Sequence, residues 1–145
     1  MTQITFRRGA AAVVLLSSFS LLVACSAPEN AVVRRCEGSS VSGYDCTLTI
    51  ERFDKPAFGS LGADYNKREA DMSGTIALRS GRAEVTIGSG SPEDLTLTVT
   101  PDSPQEVNGP VRIARDISER EGNILIKVTP LEPSEGFSAT LTYRD

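Results

Sequence analysis

Phe137-Ser138-Ala139-Thr140-Leu141-Thr142-Tyr143-Arg144 alternates apolar or small residues with polar ones. A period of two is the pattern of a strand with one buried and one wet face. Two further stretches repeat it. Cys46, Leu48 and Ile50 alternate with Thr47, Thr49 and Glu51, and Leu95, Leu97 and Val99 alternate with Thr96, Thr98 and Thr100. Threonine suits the wet face because its branched carbon fits the pleat while its hydroxyl stays solvated. Ser80-Gly81 lies between Thr75-Ile76-Ala77-Leu78-Arg79 and Arg82-Ala83-Glu84-Val85-Thr86 as the loop of a predicted tight hairpin, with Leu78 opposite Ala83 and Ile76 opposite Val85. Val111 to Ile117 and Asn123 to Thr129 add two more strands, joined through Glu119-Arg120-Glu121-Gly122. Seven or eight short strands result, with no helical periodicity after residue 25. This predicts an all-β fold, a small antiparallel β-sandwich of immunoglobulin-like or related Greek-key type, with a small closed β-barrel as the alternative.

The chain begins differently. Met1 to Gly9 carries Arg7 and Arg8 and no acid, and Ala10 to Val23 is almost continuously apolar or small. That is the layout of a signal peptide, here a cleaved signal helix. As a membrane span it is too short, since a bilayer core needs roughly 20 apolar residues and this stretch offers about 14. Leu22-Val23-Ala24-Cys25 closes the run. It resembles the lipobox of bacterial lipoprotein precursors. The resemblance covers residues 1 to 25 and no family is recognised for residues 26 to 145. It implies that Cys25 receives lipid, palmitate included, that the chain is cut before it, and that the bilayer is a partner through acylated Cys25. Plain secretion and a twin-arginine route read from Arg7-Arg8 are the alternatives. The resemblance also implies a cell-membrane location, or an outer membrane if one exists, because Ser26 stands where an aspartate retains many such proteins. The expected organisation is a signal peptide over 1–24, a lipidated tether over 25–35 and one β-sandwich domain over 36–145.

Without Arg7 and Arg8 the 15 basic residues fall to 13 against 19 acids, so the mature chain is near minus six. No basic stripe interleaved with aromatics occurs, which argues against nucleic acid as a partner. With Cys25 assigned to lipid, Cys36 and Cys46 remain, and an exported chain meets an oxidising compartment. They are expected to pair. A redox or zinc role is disfavoured, since the spacing is not C-x-x-C and the chain has no histidine.

Two departures from the strand pattern are candidate functional positions. Arg115 falls in the inward phase of Val111, Ile113 and Ile117, where an unpaired charge is costly to bury. It is read either as an edge or bulge residue that reaches water or as a charge placed for an anionic ligand. Asp54 to Asp71 is the longest stretch without alternation and reads as a long loop, in which Phe58, Tyr65 and Asn66 are candidate contacts. Asp64-x-Asn66 with Glu69 and Asp71 has calcium-type ligands, but the EF-hand glycine is missing after Arg68, so no metal is assigned.

The absence of histidine removes Ser-His and Cys-His catalysis, and neither S-x-x-K nor G-x-S-x-G is present. A pair of carboxylates in a glycan hydrolase remains open. Gly88-Ser89-Gly90-Ser91 precedes Pro92-Glu93-Asp94 and no helix with a lysine, so it reads as a turn and not a phosphate cradle. No cofactor is expected. The leading reading is a non-catalytic binding or adaptor module at the cell envelope, contacting another envelope protein through a loop cluster or a strand edge. A structural envelope component is the second reading, and the hydrolase the third.

Overall fold

The period-two residues become strands whose inner positions are buried and whose threonines face water: Cys46, Leu48 and Ile50 are buried between exposed Thr47, Thr49 and Glu51. The computed structural model describes residues 29–145. Cys25 and the segment read as a signal peptide therefore lie outside the described residues. Ten strands follow: β1 (Val33–Ser39), β2 (Gly43–Phe53), β3 (Ala57–Ala63), β4 (Glu69–Ala77), β5 (Ala83–Gly88), β6 (Leu95–Val99), β7 (Gln105–Arg112), β8 (Ala114–Asp116), β9 (Glu121–Pro130) and β10 (Ser134–Arg144). They form two antiparallel sheets, ordered β1-β2-β10-β4-β7 and β3-β9-β5-β6, with β8 added to β9. Leaving aside β1 and β8, this is the strand order of a jelly roll, built from two Greek keys. The fold is a sandwich and not a closed barrel. Its core lies between the inner faces, where Leu61, Ile76, Val85, Ile87, Val99, Ile124 and Leu141 are fully buried.

The Ser80-Gly81 hairpin does not form. β4 pairs with β10 and β7, while β5 pairs with β9 and β6, so the segment between them is an arch from one sheet to the other. Ser80 bridges to Glu135, exchanging backbone hydrogen bonds of 3.1 and 3.0 Å. Gly81 still has positive φ, at 92°, as the turn chemistry requires. A Cβ there would lie 2.4 Å from Ser134 Oγ and 2.7 Å from the Pro133 carbonyl oxygen.

Other boundaries shift as well. The stretch read as a loop over Asp54 to Asp71 contains the whole of β3 and the start of β4. The strand expected from Val111 to Ile117 breaks at Ile113, leaving β7 in one sheet and β8 in the other. The β8–β9 hairpin through Glu119 to Gly122 forms as expected, with Ala114 opposite Asn123. β1 begins at Val33, inside the segment read as a tether.

β1 is exposed along its whole length and pairs only with β2. The Cys36–Cys46 disulfide holds it there, joining residues directly opposite in the register, with sulfurs 2.08 Å apart. For a loop of this length the unfolded chain is restricted by roughly 2.7 kcal/mol in the entropic treatment. A Cys36→Ser/Cys46→Ala protein should lose about that much stability in urea unfolding, with new proteolysis confined to β1 and its turn; unchanged stability would show that pairing with β2 alone holds the strand. Gly81→Ala should cost about 2 kcal/mol or more through strain and overlap, whereas Gly62→Ala, with nothing within 4 Å of the added carbon, should be near neutral.

Candidate functional site

Strand direction gives the sandwich two ends. The connections 54–56, 78–82, 100–104 and 131–133 share one end, and 40–42, 64–68, 89–94 and 117–120 the other. Two surfaces between these ends merit a functional reading.

One is an open groove of about 950 Å³ where β1 overhangs the edge of β3, lined by Arg34, Tyr44, Asp64, Arg120, Asn123 and Tyr143 among others. Several of its polar groups are engaged within the chain, while one Asp145 carboxylate oxygen is buried without a partner. Arg34 donates to the Ser60 carbonyl, Tyr143 Oη donates to the Gly62 carbonyl at 2.5 Å, and the Asp145 carboxylate accepts from the Asp64 N–H. Each bond ties the first sheet, or the residue following it, to the outer edge of β3. The Tyr143 ring stacks on Tyr44 with centroids 5.1 Å apart. Burial pushes the Tyr143 phenol up to about 12, with Tyr44 and Asp145 adding to the shift and Arg34 opposing it.

The other surface is the outer face of the second sheet. Phe58 of β3 stands opposite Lys127 of β9, which stands opposite Thr86 of β5. Two positions along, Ser60 faces Leu125, which faces Gly88. Phe58 is 69% exposed, Leu125 39% and Ile117 78%. Leu125 forms part of two shallow depressions, one with Phe58, Pro92 and Lys127, the other with Arg115, Ile117 and Asn123. An apolar strip thus runs from Phe58 through Leu125 to Ile117. The Lys127 ammonium lies 5.8 Å from the Phe58 ring centroid, a cation–π contact worth about 0.5–1 kcal/mol when exposed.

The turns beside the strip are braced. Asp116 accepts from Ser118 Oγ at 2.6 Å and from the N–H groups of Ser118 and Glu119, and these bonds, the hydroxyl's first, hold its carboxyl below the usual range. Asp94 accepts from the N–H groups of Gly90 and Ser91 at 2.6 and 2.9 Å. The amides of the glycine-rich turn therefore already hold an anion, the chain's own.

Among the residues singled out from sequence, Phe58 and Arg115 reach this face or its rim, and Tyr65 and Asn66 do not. Phe58 belongs to a strand and not a loop. Arg115, opposite Gly122 in β8, is exposed, as the edge reading expected, and also flanks a cavity shared with Arg68 and Arg112. Arg112 pairs with Glu93 at 2.5 Å. Tyr65 and Asn66 sit in the 64–68 connection, where Asp64 Oδ1 accepts from the Asn66 N–H at 2.8 Å, a local turn. Among the described residues, no three His, Cys, Asp or Glu side chains stand close enough to hold a metal ion. Ile117, read from sequence as inward-facing, is exposed because the strand ends at Asp116; Leu125 escaped sequence reasoning, although it is out of phase with Ile124 and Ile126.

No family model and no curated protein matches the chain. Among solved structures it is similar to a cupin superfamily protein from Desulfitobacterium hafniense, at 12% identity over 83% of this chain and 84% of that one, with a TM-score of 0.38. It is also similar to a carbohydrate-binding module of Cellvibrio mixtus lichenase 5A solved with cellotriose, at 8% identity over 79% and 86%, TM-score 0.31. A third is the C-terminal module of a marine laminarinase from Zobellia galactanivorans, at 11% identity over 74% and 87%, TM-score 0.25. No residue role is carried over from any of them.

The raised Tyr143 phenol predicts an alkaline weakness. An unfolded tyrosine loses its proton near 10 and the folded one near 12, so stability falls as pH rises through that window. Tyr143→Phe should flatten this decline in urea unfolding repeated from pH 9 to about 12, while costing about 1 kcal/mol at neutral pH for the lost bond to Gly62. An unaltered decline would assign the weakness elsewhere.

Proposed function

We propose that this chain is a non-catalytic binding module, tethered to a membrane through lipid on Cys25, that grips another envelope protein with the outer face of its second sheet. The observation that carries the reading is the apolar strip of Phe58 and Leu125 on that face and Ile117 on the adjoining turn, three of the large side chains left exposed. Exposed apolar strips rimmed by polar groups mark protein contacts. The rim carries both signs, Lys127 and Arg115 beside Asp94 and Asp116, so the expected partner surrounds its apolar patch with charges of both signs.

Recognition by a face is better supported than strand addition at an edge. The β3 edge is covered by Arg34, Tyr143 and Asp145, β7 carries Pro110, β6 is five residues long, and β1 bears Arg34, Arg35 and Glu37. Of the groove's three carboxylates, Asp64, Glu121 and Asp145, two already accept from backbone N–H groups, Asp145 from Asp64 and Asp64 from Asn66.

Cross-linking in native membranes, followed by mass spectrometry, should capture one dominant protein partner. Phe58→Ser should weaken that complex about thirtyfold, the effect of losing a hot-spot contact of about 2 kcal/mol, and Arg115→Glu should weaken it and reduce its salt dependence. Undiminished capture by both variants would rule out this face. The anchor has its own check: intact mass should show acyl groups on a chain beginning at Cys25, and an unmodified cysteine there refutes it.

A further inference from the structure

The anchor, if lipid is on Cys25, fixes which end of the sandwich meets the bilayer, and the residue that decides this is Asn30. Its N–H donates to the Arg52 carbonyl at 2.8 Å, and its Oδ1 accepts from the N–H groups of Asp54 and Lys55 at 3.0 and 3.1 Å. Its Nδ2 reaches Asp54 Oδ1 at 3.3 Å, and its φ of 62° is one that asparagine tolerates. The chain is thereby clamped at the end of β2, beside the 54–56, 78–82 and 131–133 connections.

Five residue steps separate Cys25 from Asn30, and they reach at most about 18 Å when fully extended. β2 and β10 each run for 11 residues. At about 3.4 Å per residue the opposite end lies roughly 35 Å away. With that end against the bilayer, Asn30 would stand beyond the reach of its own tether.

We propose that the sandwich stands on the end bearing Asn30, with the 131–133 connection against the lipid surface. This rests on the lipidation of Cys25. Leu131 is 49% exposed at that end, where Lys55, Arg79 and Arg82 are balanced by Asp54, Asp102 and Glu132, so the reach of the tether and not charge selects this end. Lying on a side is disfavoured by what the sides carry. The outer face of the first sheet is threonine-rich and net acidic, with Asp45, Glu51, Glu69, Asp71 and Glu106 against Arg112 and Arg144, so an anionic surface repels it. The outer face of the second sheet is the partner surface proposed above. Standing upright leaves that face parallel to the membrane normal and open, and carries the 64–68 and 117–120 connections away from the lipid.

The chain contains no tryptophan, so a single introduced indole reports its own position. Mature, acylated Leu131→Trp and Val41→Trp proteins beginning at Cys25 are reconstituted in phosphatidylcholine–phosphatidylglycerol vesicles containing brominated lipid. Val41 is 89% exposed in the 40–42 turn, at the opposite end, so neither change touches the core. Expected is about a twofold quenching of the indole in Leu131→Trp, consistent with interfacial depths of about 5–10 Å, and none in Val41→Trp. Equal quenching of both overturns the upright stance in favour of a side-lying one, and quenching of neither overturns contact at this end. Vesicle flotation and intact mass separate the two layers: a protein that neither floats nor carries acyl groups refutes the anchor itself, whereas one that floats with the wrong pattern refutes only the orientation.

Discussion

β10 lies between β2 and β4, and β9 between β3 and β5, so each sheet is completed at its centre by a strand from the C-terminal end. Everything else in the sandwich depends on that pairing. Until β9 and β10 arrive, β2 and β4 share no hydrogen bonds and the inner faces of β3 and β5 belong to separate pieces. The 131–133 connection carries the chain from one sheet to the other between these two central strands, and Ser134, buried beside it, donates to the Glu132 carbonyl at 2.8 Å. Pairing between distant segments costs loop-closure entropy before any burial repays it. The fold is therefore cooperative by topology, and β1, attached outside this arrangement, needs a covalent link of its own.

Alternation showed which side of each strand faces inward and left the strand's partner undetermined. For Ser80-Gly81 the apolar positions Ile76, Leu78, Ala83 and Val85 keep the same phase in a two-residue hairpin and in an arch between facing sheets, because both directions of inward burial point at one core. Only long-range pairing with β10 distinguishes them. β3 was hidden for a different reason. Its inward positions include Ala57, Gly59 and Ala63, small residues that give no hydrophobic period although Leu61 is fully buried. The break at Ile113 was likewise invisible, since Ile113 is buried as an interior strand residue would be and its N–H is satisfied by the Arg68 carbonyl at 2.8 Å, outside any ladder.

The site was legible one residue at a time. Phe58 was picked out as an aromatic in a stretch read as a loop, and it is exposed, although on a strand. Its neighbours could not be read with it. Lys127 and Leu125 are nearly seventy positions away in sequence and meet Phe58 and Ser60 only through the β3–β9 register. Tyr65, seven positions from Phe58, is carried to the far end of the strand instead. Sequence proximity grouped residues by loop, whereas a sheet groups them by register.

The exposed strip is small for a stable protein interface, and the anchor proposed at Cys25 would change what such a strip must achieve. A standard interface buries about 800 Å² on each partner, well above what three apolar side chains and their rim provide. For two proteins confined to the same surface, however, encounter becomes a matter of effective concentration, which short tethers raise to the millimolar range. Modest contacts then suffice, and a tight, strongly apolar face would carry the hazard of aggregation during export. On this reasoning the short connection between Cys25 and Asn30 and the limited area around Phe58 belong together. Under the proposed anchoring the tether would supply concentration and stance, leaving discrimination to the few apolar side chains and the charges around them.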